Sequence, residues 1–136
     1  MRIATPRPGP VVEGNLRKVV LIADDNAIIR KMLCRLFETE ENYDLCAEAK
    51  DGREAIELAL KYRPELIILD LSMPVLNGID AARELKRLMP QIPIILFTEY
   101  SDFGNSLSRD QLHVDCIVSK THITELMEQV RSLLPV

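Results

Sequence analysis

The sequence predicts a single α/β domain, a doubly wound parallel sheet with helices on both faces. Three observations predict it. Five short apolar runs alternate with five stretches of helical spacing between Lys18 and Leu134. The runs VVLIAD (19–24), ELIILD (65–70) and PIILFT (93–98) are almost continuously apolar, as strands covered on both faces must be. The length, 136 residues, suits one domain and allows roughly 68% of the unfolded surface to be buried, enough for a core without staples.

The elements follow in order. Residues 19–24 form the first strand. From Asn26 to Thr39, Ile28, Ile29, Met32, Leu33, Leu36 and Phe37 recur at helical spacing and give one apolar face. YDLCAEA (43–49) is a more polar strand and belongs towards a sheet edge. The next helix spans Gly52 to Tyr62, with Asp51 as its N-cap, a buried stripe of Ala55, Ile56, Ala59 and Leu60, and Pro64 as its stop. After the strand 65–70, Pro74 and Asn77-Gly78 mark a loop. The third helix runs from Gly78 to Met89, with Ile79, Ala82, Leu85 and Leu88 or Met89 inward. After the strand 93–98, residues 99–112 are the least helical by composition and predict a short or irregular helix. VDCIV (114–118) is the fifth strand. The last helix runs from Thr121 to Leu134 on Ile123, Leu126, Met127, Val130 and Leu133 or Leu134. Residues 1–17, with three prolines and no apolar segment, read as a flexible leader before a domain at 18–136.

Composition excludes several functions. Seventeen basic and 21 acidic residues give a net charge of −4, without the clustered Lys and Arg of a nucleic-acid surface. No apolar run approaches the length of a membrane span. Cys34, Cys46 and Cys116 fit neither a disulfide framework nor a zinc site, and read as buried free thiols of a cytoplasmic protein. His113, His122 and the methionines carry ordinary packing or surface roles.

Ligands of open α/β sheets bind at the carboxyl ends of the strands. Here those ends carry Asp24-Asp25, Asp70, Thr98 and Lys120. In a parallel sheet they share one edge. Three carboxylates in one crevice repel one another and raise each other's pKa. Lys120 offsets one charge, and a hard divalent cation with oxygen ligands, Mg2+ first, complements the rest. A cation, an ammonium and a hydroxyl around a carboxylate suit a phosphoryl group carried on that carboxylate.

The acidic pair Asp24-Asp25, the stretch DLSMPVLNG (70–78), Thr98 and Lys120, at these spacings, resemble the receiver domain of two-component response regulators over about residues 18–134. From Asp70 to Pro90 the text is similar to receivers that carry a helix-turn-helix output domain. The resemblance implies a (βα)5 flavodoxin-like fold with strand order 2-1-3-4-5. It implies that Asp70 is the phosphoacceptor, supplied by a sensor histidine kinase or phosphotransfer protein. Asp25, Asp70 and the backbone carbonyl of Ser72 would ligate Mg2+, with Asp24 acting through a metal-bound water. Lys120 would hold a phosphoryl oxygen, and Thr98 would donate to another, shifting a surface on helix four, strand five and helix five towards an output partner. The domain would catalyse only its own phosphorylation and dephosphorylation. Pairing of two copies through the faces of helices four and five is compatible with the family.

Four positions depart from the family pattern. Thr121 replaces the proline after the lysine, so the loop aiming Lys120 is expected to sit differently, with Thr121 free to cap the last helix. Ile117 replaces an aromatic switch residue. Glu99 replaces a small residue after Thr98 and either crowds the phosphoryl site or points to solvent. Tyr100, with Ser72, occupies a position that tunes hydrolysis, where its bulk would shield the phosphoryl group from water. These departures keep open a pseudo-receiver, an interaction or dimerisation module with little phosphorylation. An aspartyl-phosphate phosphatase is disfavoured, because Ser72 stands where those enzymes place a second Asp.

Overall fold

Residues 17–99 and 109–136 are described by a computed structural model. Along them run β1 (Lys18–Ala23), α1 (Ala27–Glu38), β2 (Tyr43–Ala49), α2 (Gly52–Tyr62), β3 (Leu66–Leu69), α3 (Gly78–Leu88), β4 (Ile94–Thr98), α4 (Arg109–Leu112), β5 (Cys116–Ser119) and α5 (Ile123–Leu133). All strand pairs are parallel, in the order β2-β1-β3-β4-β5. The polar strand β2 lies at an edge, as its composition predicts. Alternate residues of the central strands feed two cores. Leu21, Ala23, Ile67, Leu69 and Leu96 meet Ala55, Ala59, Ala82 and Leu85 of α2 and α3. Val20, Ile22, Ile68, Ile95 and Phe97 meet Leu33, Phe37, Leu126 and Val130 of α1 and α5.

Register brings the functional ends together. Ala23 pairs with Leu69, so Asp24 and Asp70 emerge side by side. Thr98 pairs with Ser119, so Lys120 emerges next to Thr98. Three helices start on side-chain caps. Asn26 accepts from the Ile28 and Ile29 amides, Asp51 from the Glu54 amide at 2.8 Å, and Asn77 from the Asp80 amide at 2.9 Å.

Several expectations need correction. Ile28 is 78% exposed, and the helix buries only the later Leu33 and Phe37 in full. In α2 the inward residues are Gly52, Ala55, Leu58 and Ala59, while Leu60 turns to the surface. It ends at Tyr62 as expected, with Arg63 as a left-handed C-cap (φ 49°) immediately ahead of Pro64. Helix α5 starts at Ile123 with His122 as an N-cap that makes no side-chain bond. Thr121 does not cap it; its hydroxyl pairs with Ser119 Oγ at 2.8 Å. Cys116 is buried, whereas Cys34 and Cys46 are half-buried, and none of the three forms a disulfide. Burial pushes the Cys46 thiol up to about 11, so it stays protonated near neutrality. The methionines pack as expected, with Met73, Met89 and Met127 in the two cores. The leader up to residue 16 and the segment 100–108, including Tyr100, lie outside the described residues.

Candidate functional site

At the carboxyl edge of the sheet, Asp24 leaves β1, Asp70 leaves β3, and Lys120 follows β5. Asp24 is 2% exposed and Asp70 5% exposed. Backbone bonds fix both turns: the Asp24 amide donates to Ala49 O at 3.0 Å and the Asp70 amide to Ala23 O at 2.9 Å. Behind Asp70, α3 approaches so closely that a Cβ on Gly78 would lie 2.1 Å from the Asp70 carbonyl oxygen. Only glycine allows that approach, which explains the Asn77-Gly78 pair at the helix start.

Lys120 Nζ lies 2.7 Å from Asp24 Oδ2 and 3.3 Å from Asp70 Oδ1, with its side chain 8% exposed. Its amide donates to Thr98 O at 2.9 Å, so β4 carries the lysine turn without any proline. Thr121 after the lysine therefore does not displace Lys120 from the acidic cluster. The other Asp24 oxygen accepts the Asn26 amide at 2.9 Å. Asp25 is exposed at the mouth. The three carboxylates offer oxygens that all lie within 4.8 Å of one another.

The electrostatics follow from this packing. Burial, then the charge of Asp24, raises the Asp70 pKa to about 6, against the pull of Lys120. Burial lowers the Lys120 pKa, but the hydrogen bond and charge of Asp24, together with the charge of Asp70, outweigh it and the net shift is upward. One lysine among three carboxylates leaves excess negative charge. The donor set is all oxygen and mutually within reach, so these residues fit a hard divalent cation. A carboxylate with a pKa near 6 is ionised at neutral pH and more basic than an ordinary aspartate, which favours it as a nucleophile.

A cleft of about 320 Å³ opens over this cluster, lined by Asp25, Asn26, Asp70, Ser72, Glu99 and Lys120. Ser72 and Glu99 therefore stand at the site, and Glu99 adds a carboxylate to its rim. Thr98 is fully buried at the end of β4. Ile117 is partly buried against the α2–α3 core. Two groups carry no mark in the local sequence pattern. Arg30, on α1, donates from Nη1 to the Asp24 carbonyl at 2.7 Å. Glu48, 4% exposed on β2, lies 3.6 Å from Arg30 Nε. A cation one turn past the Asn26 cap and an acid near the end of an edge strand were the available hints.

Comparison with known proteins places the chain in a family. The family described as the response regulator receiver domain matches residues 20–131. A curated relative, protein-glutamate methylesterase/protein-glutamine glutaminase 4 of Hahella chejuensis, is 34% identical over 98 residues, 72% of this chain and 25% of the relative. Transcriptional regulatory protein PdtaR of Mycobacterium tuberculosis is 41% identical over 95 residues, 67% of this chain and 46% of the relative. The chain thus spans between a quarter and a half of the length of these relatives. Among solved structures, response regulator TrrA of Thermotoga maritima, in complex with Mg2+ and BeF, aligns with a TM-score of 0.77 at 34% identity, covering 86% of this chain and 99% of that one.

Proposed function

Because the chain belongs to the response regulator receiver family, we propose that it is a phosphorylation-controlled signalling domain in which Asp70 accepts a phosphoryl group from a phosphohistidine on a sensor histidine kinase or phosphotransfer protein. The observation that carries this reading is the placement of Lys120, 2.7 Å from Asp24 and 3.3 Å from Asp70, beneath an open cleft.

A carboxylate oxygen of Asp70 attacks phosphorus. The phosphorus–nitrogen bond of the donor breaks, and its electron pair leaves with the imidazole, which takes a proton from solvent. Asp25, Asp70 and the Ser72 carbonyl are the residues that would hold Mg2+, with Asp24 acting through a water. A cation held there would supply charge neutralisation to the transferred group. Asp24 holds Lys120 next to Asp70, ready to meet a phosphoryl oxygen. The Thr98 hydroxyl offers a second donor at the end of β4. The product is an acyl phosphate, a mixed anhydride that water hydrolyses, so the mark is reversible. Drawing Thr98 and Lys120 towards the new oxygens would move β4 and β5 and the elements after them, changing a surface read by an output domain or partner. No turnover of a further substrate is required, and the reading places the chain in the cytoplasm with its donor. Among the described residues, no helix is long and apolar enough to cross a membrane.

The test is intact mass after incubation with Mg2+ and acetyl phosphate. One added phosphoryl group is expected, and none in Asp70→Asn. Demonstrable Mg2+ binding without phosphorylation by either acetyl phosphate or a kinase would return the pseudo-receiver alternative.

A further inference from the structure

The acidic turn is held from behind by a group outside the cleft. Arg30 closes the first turn of α1, its amide bonded to Asn26 O at 3.1 Å. Helical side chains lean towards the helix N-terminus, so its guanidinium folds back over the turn. Nη1 donates to the Asp24 carbonyl at 2.7 Å, and Nε lies 3.6 Å from Glu48 Oε1 on β2. A cation over a helix N-terminus runs against the helix dipole. A carboxylate as deep as Glu48, 4% exposed, is costly to bury. For stability alone, an apolar pair of similar size would serve as well. What an apolar pair cannot do is hold the Asp24 carbonyl. That carbonyl belongs to the peptide joining Asp24 to Asp25, so its orientation sets the direction in which Asp25 leaves the sheet.

We propose that Arg30, braced by Glu48, is the positioning residue of the acidic turn, fixing the Asp24–Asp25 peptide so that the Asp25 carboxylate faces Asp70 for cation binding. The proposal rests on the functional reading above, in which Asp25 and Asp70 share a cation. The planar guanidinium suits the task because it reaches the carbonyl and the carboxylate at once from different nitrogens. Asp24 is then restrained at four points: its amide by Ala49, its carbonyl by Arg30, and its two carboxylate oxygens by the Asn26 amide and Lys120. Asp25 is the exposed member of the trio, without such side-chain restraint among the described residues, and takes its direction from the peptide.

The experiment is Mg2+ titration by calorimetry at pH 7.5, paired with thermal unfolding in chelator, on wild type, Arg30→Met and the double variant Arg30→Met/Glu48→Met. Removing a nearby cation should, by charge alone, tighten Mg2+ binding. Positioning predicts the opposite: Arg30→Met weakens it by about tenfold or more, the scale seen when the partners that orient metal ligands are removed. The double variant, with an apolar pair in place, regains the melting temperature of the wild type while its Mg2+ affinity stays low. Unchanged or tighter binding by Arg30→Met would overturn the proposal, as would recovery of affinity together with melting temperature in the double variant. Wild-type protein that binds no Mg2+ would instead sink the functional reading itself.

Discussion

Burial and the neighbouring charge of Asp24 both oppose ionisation of Asp70 and hold its pKa at about 6, against an ordinary 3.8. In metal-free protein this has a definite sign. The folded-state pKa is raised, so the fold gains from a protonated Asp70. That gain is fully present below about 3.8 and is lost as pH rises through about 6. Replacing Asp70 with asparagine removes the buried charge while keeping the shape. Asp70→Asn is therefore expected to melt at the same temperature as wild type near pH 4 and at a higher temperature at pH 7.5, both in chelator. Melting curves across that range check it; a gap that is constant with pH would show that the Asp70 charge is not the cause. The same residue scale marks Val75, a β-branched residue at φ 68° with 72% exposure. Nothing is buried there to lose, and asparagine tolerates the left-handed region far better. Val75→Asn is expected to raise stability by about 1 kcal/mol, read as a higher urea midpoint at unchanged slope.

Elements differ in how openly the sequence declares them. The strands β1, β3 and β4 were legible because two-sided burial leaves them almost no polar residue until the functional one. The caps Asn26, Asp51 and Asn77 lie where turn chemistry puts them. The start of α5 was not legible, because Thr121 prefers the Ser119 hydroxyl within its own turn over the helix amides. Nor was the exposure of Ile28, since periodicity gives the side of a helix but not how deeply each residue on that side is covered. Long-range polar ties are equally silent in the sequence. Tyr43, at the start of β2, donates its hydroxyl to Leu134 O at 2.7 Å in a buried setting. That bond takes up a carbonyl at the end of α5 that the helix itself cannot satisfy. Tyr43→Phe leaves the ring packing intact and strands the carbonyl. Its expected cost is about 1–2 kcal/mol, together with faster amide exchange in the last turn of α5 than in α3. Equal loosening of both helices would mean the bond has no local role.

Across the whole molecule, the site belongs to no single element. Its acids come from the ends of β1 and β3 and its lysine from the end of β5, while the two cores lie on opposite faces of the sheet. The positions of the candidate site were readable in the sequence because each interrupts an apolar run at the same sheet edge. Arg30 and Glu48 were not, because their partnership depends on how α1 lies against the edge strand β2. A cation shared by Asp25 and Asp70, as proposed, would join two strand ends that are otherwise linked by backbone bonds and mutually repelled by charge. Binding to the folded state alone stabilises by mass action, about 2.7 kcal/mol at a hundredfold excess over Kd. Melting temperature should therefore climb with the logarithm of Mg2+ concentration once Kd is passed. Asp25 is exposed and at the cleft mouth, so Asp25→Asn should leave the metal-free melting temperature nearly unchanged and abolish the climb. A climb that persists in Asp25→Asn would place the cation elsewhere. A variant that melts early in chelator would show Asp25 to be part of the framework rather than a ligand held ready by it.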